Sequence, residues 1–203
     1  RTAMHSRSIP LLLAILAYPL IGQAQRPSRS GLGYMGGPQA ATWRSEAVNY
    51  RPVPGFVAGL YVPIWAGNRV EIQPELLLSL EGAARDLPEG GRSTMRNLSA
   101  IVPVSLKLFL SPTFNIQAGV QGGYLILAKA DGIDISDQVS QLDLGLNAGL
   151  GIGTISGLDL TLRYFTGLSN TLAEDRALYP SNRTLQLTIG HRFMQFSRKR
   201  HRR

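Results

Sequence analysis

The sequence contains no cysteine among its 203 residues. This absence excludes a disulfide framework, a thiolate metal site and a lipid-anchoring cysteine. Histidine is scarce as well, since only His5, His191 and His201 are present. A nucleophile–histidine–acid arrangement needs a base held by a third group, and no predicted loop supplies a histidine. We therefore expect no catalytic residues, no metal site, no cofactor and no enzymatic activity.

The body of the chain lacks an excess of charge of either sign. The sequence has 21 basic and 13 acidic residues and a net charge of +8. Two of the basic residues precede residue 25 and five lie in the tail, residues 197–203, which leaves 14 against 13. A nucleic-acid-binding face needs basic residues clustered on a folded surface, so no nucleic-acid partner is expected. The basic tail is expected to be a solvated end, with contact to anionic headgroups or a periplasmic partner as the alternative.

Long hydrophobic runs are also missing, apart from one near the start. The run from Ile9 to Ile21 follows the basic residue Arg7 and ends at Gly22-Gln23-Ala24. It is shorter than the roughly twenty residues that a spanning helix needs, and this pattern is typical of a secretory signal peptide. The sequence therefore predicts a signal peptide over residues 1–24, one domain over 25–196 and a tail over 197–203.

What the sequence does have is alternation of apolar and polar residues along nearly its whole length, as in QLDLGLNAGLGIG (141–153). Period two without a sustained helical period indicates an all-β chain. We predict eight strands, at Ser30–Gly37, Gly55–Pro63, Arg69–Leu80, Asn97–Leu110, Thr113–Leu127, Gln138–Thr154, Gly157–Leu168 and Arg183–Phe196.

The predicted connections alternate between short and long. Short turns fall at Ile64–Asn68, Ser111–Pro112 and Ile155–Ser156. Long polar loops fall at Pro38–Pro54, Glu81–Arg96, Ala128–Asp137 and Ser169–Asn182. Short turns at one end and long loops at the other are typical of an outer-membrane barrel, with its turns in the periplasm and its loops outside. The prediction is an eight-stranded antiparallel up-and-down transmembrane β-barrel in the bacterial outer membrane.

The orientation of the leucine face separates this barrel from a soluble one. Eight strands enclose room for only small layers of side chains, which the long aliphatic residues of every strand would overfill. Glycines such as Gly119, Gly145 and Gly149 share the polar face, where they relieve crowding in a narrow interior. We therefore expect the leucines to face lipid; the alternative is a secreted lipocalin-like barrel that binds a ligand, with the leucines inside.

The same parity assigns residues to the interior. A structural polar network is expected from Glu71, Glu75, Lys107, Asp143, Arg163 and Arg192, with Glu75 and Lys107 as an ion pair. An unpaired charge inside would cost several kcal/mol, so we expect a plugged lumen, with a small channel as the alternative. Asp134 and Asp137 in DGIDISD lack the spacing of a calcium loop, and we expect a solvated acidic loop there.

Aromatic residues are expected to form girdles where the hydrocarbon meets the headgroups. Trp65, Phe114 and Phe193 lie near the short-turn end of their strands. Tyr124 and Tyr164 lie towards the long-loop end.

Seven segments together carry a resemblance to a known family. They are PGFVAGLYVP (54–63), VEIQPELLLSLEGA (70–83), IVPVSLKLFL (101–110), FNIQAGVQGGYL (114–125), DLGLNAGLGI (143–152), LTLRYFTGLSN (160–170) and LQLTIGHRF (185–193). In these segments the chain resembles the PorT-like group of Bacteroidetes outer-membrane β-barrel domains. It departs from that pattern at Ile101, where an acidic residue is frequent, and in the basic tail after Phe193.

The resemblance implies a small barrel that lies in outer-membrane lipid and is inserted by the barrel-assembly machinery. Because the namesake of the group is associated with type IX secretion, the resemblance also implies a possible protein partner in secretion or envelope assembly. A shared fold does not fix the function, so the partner is not identified by the resemblance.

Overall fold

The computed structural model describes residues 30–45, 48–66, 69–87, 90–154, 156–169 and 181–196. The predicted signal peptide (1–24) and basic tail (197–203) lie outside these ranges. Eight long strands make up the fold: β1 (Gly31–Arg44), β2 (Tyr50–Tyr61), β3 (Val70–Asp86), β4 (Arg92–Phe109), β5 (Phe114–Ala130), β6 (Leu142–Gly153), β7 (Leu158–Gly167) and β8 (Ser181–Gln195). Two two-residue strands, Ile64–Trp65 and Ile133–Asp134, and a 3₁₀ turn at Ser136–Gln138 lie in the connections.

The eight strands form a closed antiparallel ring. Each strand pairs with the next along the chain, and β1 also pairs with β8, so that every strand has two neighbours. Closure satisfies the backbone donors and acceptors of all strands without an open edge. Among the described residues, no helix has the length and apolar character needed to span a membrane.

The predicted number, order and antiparallel arrangement of the strands are confirmed, but two of the four predicted long loops are wrong. β1 and β2 continue through most of Pro38–Pro54 and are joined by residues 45–49. β3 and β4 continue likewise through Glu81–Arg96 and are joined by residues 87–91. Exposed polar side chains such as Arg85 and Arg92 mark strands that extend into water beyond the apolar surface, rather than a loop.

The prolines that suggested a loop are accommodated within the strands. The pairing of β2 with β3 shifts register between Pro52 and Phe56, and the two prolines of this region, Pro52 and Pro54, lie at that irregularity. The ladder between β1 and β8 is interrupted next to Pro38 and resumes in the same register at Gln39. Proline cannot donate to a ladder, so it is tolerated where the pairing is already irregular.

The two faces of the ring have opposite character. The outward face carries exposed aliphatic side chains on β2 to β8, among them Leu76, Leu146 and Leu160, which are 42–60% exposed. The inward face is buried, and polar side chains outnumber apolar ones on it. The prediction that the leucines point outward is confirmed, and the alternative that turned them towards a protein interior is wrong.

The strands also differ in length around the ring. Strands β3, β4 and β5 have 17 or 18 residues, whereas β6 and β7 have 12 and 10. A tilted strand needs about 9–11 residues to cross the hydrocarbon core of a membrane. The β3–β5 side therefore extends well past the apolar belt at the end where the longer connections lie.

Candidate functional site

The lumen is the region where the polar residues of the described chain converge. Of the six residues predicted for the interior, Glu71, Glu75, Lys107, Arg163 and Arg192 are buried, and Asp143 is partly buried. Alternation carries each of them to the inner face, because the inward residues of a strand are two positions apart.

The ion pair near the turn end of the lumen joins β3 to β4. The Lys107 Nζ lies 3.7 Å from Glu71 Oε1, and both side chains are almost fully buried. The two residues are direct cross-strand partners. The predicted pairing of Lys107 with Glu75 is wrong, because Glu75 lies four residues further along β3, roughly 13 Å away at the rise of an extended strand.

Glu75 pairs instead across the lumen with Arg163 of β7. The guanidinium group donates from Nη1 to Glu75 Oε2 at 2.7 Å and from Nη2 to Oε1 at 2.5 Å. Gln73 Nε2 also donates to Oε1, at 2.8 Å. Since β3 and β7 lie on opposite sides of an eight-membered ring, this bidentate pair closes the middle of the barrel.

A third polar cluster lies on the turn side and contains a residue that the sequence reasoning missed. The Tyr61 hydroxyl of β2 donates to Asp159 Oδ2 of β7 at 3.0 Å. Arg192 Nη2 of β8 lies 3.6 Å from the same oxygen. Aromatics were expected only on the outer surface, although the parity of β2 places Tyr61 inside with Val57.

Two inward aromatic rings occupy space that neighbouring glycines leave free. The Tyr61 ring lies over Gly33, and the Phe165 ring lies over Gly145. A Cβ at Gly145 would meet Phe165 Cε2 at 2.6 Å. The glycines of the inner face thus accommodate aromatic side chains, in addition to relieving crowding as predicted.

An apolar cluster also fills part of the lumen. Tyr61 packs there with Met35, Val57, Leu77 and Ile101. Ile101 is buried in this cluster, which suits its apolar side chain. The interior is therefore a mixed core of ion pairs and apolar contacts.

Amide and hydroxyl groups connect the inner faces of further strands. Gln39 Nε2 of β1 donates to Ser79 Oγ of β3 at 2.8 Å, and Gln186 Nε2 of β8 donates to Gln39 Oε1 at 3.0 Å. Ser105 Oγ donates to Asn147 Oδ1 at 3.0 Å.

The external mouth of the lumen contains a cavity of about 30 Å³. Glu81 and Asp143 line it, and Val139 from the β5–β6 connection lies buried against it. Asp143 Oδ1 accepts a hydrogen bond from Ser169 Oγ at 2.7 Å. Sequence reasoning placed Glu81 in a loop, yet it continues the inward parity of Glu71 and Glu75, and that parity could have located it.

Phe114 and Phe193 lie within two residues of a strand end and Trp65 lies in the β2–β3 connection, whereas Tyr124 is six residues from the end of β5 and Tyr164 three from the end of β7. Tyr124, Tyr164 and Phe193 are exposed on the outer face, whereas Trp65 and Phe114 are half-buried. Trp65 stacks on Phe109, with ring centroids 4.9 Å apart. A girdle role for these five residues stays a prediction.

Outside the lumen, the described residues form few clusters of polar or titratable side chains. No group of three or more His, Cys, Asp or Glu residues positioned to hold a metal occurs in the described ranges. His191 contacts the exposed Tyr34 ring edge-on at 5.8 Å. Asp134 Oδ1 accepts hydrogen bonds from the Ser136 amide and hydroxyl. These bonds keep the pKa of Asp134 below its ordinary value.

Comparison with known proteins gives a matching family model and solved structures with a similar fold. The family model described as "Outer membrane protein beta-barrel domain" matches residues 22–173. The fold is similar to that of Neisserial surface protein A, at 12% identity and a TM-score of 0.56 over 82% of this chain and 100% of that one. A search of curated proteins found no match.

Two other solved structures have lower TM-scores. Ail, the attachment invasion locus protein of Yersinia pestis, was solved with the heparin analogue sucrose octasulfate; it is 14% identical, with a TM-score of 0.47 over 81% of this chain and 99% of that one. OprG of Pseudomonas aeruginosa is 10% identical, with a TM-score of 0.47 over 81% and 97%. At these identities the likeness concerns the fold alone.

Proposed function

Because the chain belongs to the outer membrane protein β-barrel domain family, we propose that it is a non-enzymatic, non-conducting component of the bacterial outer membrane whose external rim binds another envelope component. The family match establishes the outer-membrane barrel. The absence of activity, the closed lumen and the interaction at the rim are the parts that we propose.

The pair of Glu75 with Arg163 is the observation that carries this proposal. It joins opposite walls of the ring through two hydrogen bonds, and both side chains are buried. Removing either charge would leave the other unpaired in a poorly hydrated interior, which costs about 3–5 kcal/mol. Because breaking the pair is so costly, its charges suit a structural role that keeps the lumen closed better than the role of a selectivity filter.

Conductance across a planar lipid bilayer tests the closed lumen. The purified barrel should produce no reproducible steps, and an Arg51→Gln variant, altered only at the external rim, should behave in the same way. Reproducible steps in the unaltered protein, abolished by Glu75→Gln or Lys107→Gln, would overturn the proposal and establish a small channel.

The resemblance to the PorT-like group supports a partner in secretion or envelope assembly. The hairpins β1–β2 and β3–β4 extend beyond the apolar belt and expose charged residues such as Arg51 and Arg92. A photo-crosslinking residue at Arg92 should give a discrete adduct with an envelope protein in living cells. The same residue at Leu146, inside the apolar belt, is the matched control, and equal adducts at both positions would contradict an interaction at the rim.

Export through a signal peptide is part of the same proposal. We expect cleavage after Ala24, so that the mature chain begins at Gln25. Mass spectrometry of peptides from the protein extracted from the outer membrane should identify an N-terminal peptide that begins at Gln25, and retention of residues 9–21 would contradict the cleavage.

A further inference from the structure

We propose that the external mouth of the lumen binds a calcium ion between Glu81 and Asp143. This site lies apart from the ion pairs that close the middle of the barrel. It depends on the barrel fold but not on whether the lumen conducts or which envelope partner binds.

The first argument is charge. Glu81 and Asp143 line the same cavity of about 30 Å³, and none of the described residues that line it is a lysine or an arginine. Elsewhere in the lumen each buried carboxylate has a cationic partner, as Glu71, Glu75 and Asp159 do. Neither Glu81 nor Asp143 forms an ion pair within the described part of the chain. Two carboxylates without a counter-charge are costly in such a place, and a bound cation removes that cost.

The second argument is a set of oxygen atoms without partners. The side chains of Asn97, Gln121 and Asn182 line the same cavity, and each is about 5% exposed. The amide oxygen of each accepts no hydrogen bond from the described residues. Buried polar atoms are satisfied in the great majority of native proteins, so three orphaned oxygens around one cavity point to a missing positive ligand.

The fold brings these oxygens together from five strands. Glu81 and Asn97 are direct cross-strand partners on β3 and β4. The other three oxygens come from β5, β6 and β8, and Asn182 Nδ2 lies 3.4 Å from Asp143 Oδ2. Thr184 Oγ1 of β8 donates to Glu81 Oε2 at 3.4 Å, so β8 contacts both carboxylates.

Glycine keeps the space next to Asp143 open. A Cβ at Gly167 would lie 3.0 Å from Asp143 Oδ1. At Gly123, the cross-strand partner of Asp143, a side chain would approach both Asp143 and Ile101. The cavity volume exceeds the roughly 10–15 Å³ that a single water-sized occupant needs.

The ligand chemistry selects the ion. Two carboxylates and three amide oxygens line the cavity and form an all-oxygen set. Calcium accepts six to eight oxygen ligands, from protein and water, in irregular geometry, whereas magnesium retains several waters and demands an octahedron. The site opens towards the external end, where extracellular calcium modules work with dissociation constants of about 0.1–1 mM.

Calorimetric titration of the full barrel in detergent with calcium chloride tests the site. We expect one site with a dissociation constant of about 0.1–1 mM. Calcium at ten times that constant should lower the unfolding equilibrium constant about elevenfold. Magnesium at the same concentration should have a much smaller effect.

The decisive variant is Glu81→Gln with Asp143→Asn, and Asp137→Asn in the exposed β5–β6 connection is the matched control. The double variant should lose both the calorimetric signal and the stabilisation, while the control should keep them. If the double variant does not fold, Asp143→Asn alone should weaken calcium binding at least tenfold. Absence of binding to the unaltered protein, or equal binding to the variants, would overturn the site. If the unaltered protein does not respond to calcium and the double variant is more stable than it, the two carboxylates share a proton instead of binding a cation.

Discussion

The inner and outer faces of the same eight strands follow different rules. On the outer face, neighbouring side chains are nearly interchangeable aliphatic groups, and each contributes through its own transfer to lipid. On the inner face, Glu75 of β3 and Arg163 of β7 stabilise the fold only as a hydrogen-bonded pair. The outer face therefore tolerates apolar exchange, whereas the inner face depends on particular partners.

The largest expected effect is on the inner face. Replacing Arg163 by methionine should lower the free energy of unfolding by about 3–5 kcal/mol, because Glu75 is left buried and unpaired. Adding Glu75→Leu to that variant should recover most of the loss. Denaturant unfolding in lipid vesicles, followed by tryptophan fluorescence, measures both, and a double variant no more stable than the single one would contradict this account.

A charge on the outer face should have the next largest effect. Val120 lies near the middle of β5 and is 58% exposed. Val120→Arg should cost about 2–4 kcal/mol, as for an arginine placed on the lipid face at the bilayer midplane. Val120→Leu is the control and should be nearly neutral in the same unfolding experiment, so an equal loss in both variants would indicate packing rather than lipid exposure.

A smaller effect is expected from one inner hydrogen bond. Tyr61→Phe keeps the ring over Gly33 but removes the donor to the Asp159 carboxylate. Hydrogen bonds to charged groups contribute about 1.5–3 kcal/mol, and the unfolding free energy should fall by that amount. Tyr164→Phe, on the outer surface, should change it little, and equal losses in the two variants would refute a specific role for the inner hydroxyl.

The smallest effect is expected at the external rim. Arg51 Nη2 lies 2.7 Å from Asp86 Oδ2, but both side chains are at least half exposed. Water screens such pairs, so Arg51→Gln should cost less than about 1 kcal/mol, and high salt should reduce the difference further. An effect above 2 kcal/mol that persists in high salt would show that rim pairs resemble lumen pairs.

The sequence alone is sufficient for the number of strands, their order and their two faces, because alternation is a local property. It places Glu71, Glu75, Lys107 and Arg163 inside for the same reason. It does not predict which of them pair, because the cross-lumen partner of Glu75 depends on ring closure. The hypothesis of a Glu75–Lys107 pair failed on register, which sets Lys107 opposite Glu71.

The loop prediction failed where the strands leave the membrane, because polar residues there were taken as a sign of a loop. The polar residues of Glu81–Arg96 suggested a loop, but water outside the bilayer permits polar residues on both faces of a hairpin. Glu81 was thereby missed as an inward residue at the external mouth. Tyr61 and Phe165 were missed because inward aromatics need a facing glycine, and the facing residue is known only from the register and the shape of the ring.

The most direct test of the two-face account uses neighbouring positions on β6, in a chain whose sequence contains no cysteine. Leu146→Cys and Asn147→Cys would be exposed, in lipid vesicles, to a lipid-soluble maleimide and to a charged, membrane-impermeant one. The account predicts that the cysteine at 146 reacts with the lipid-soluble reagent alone and that the cysteine at 147 reacts with neither until the protein is denatured. Labelling of position 147 by the lipid-soluble reagent, with position 146 protected, would contradict it.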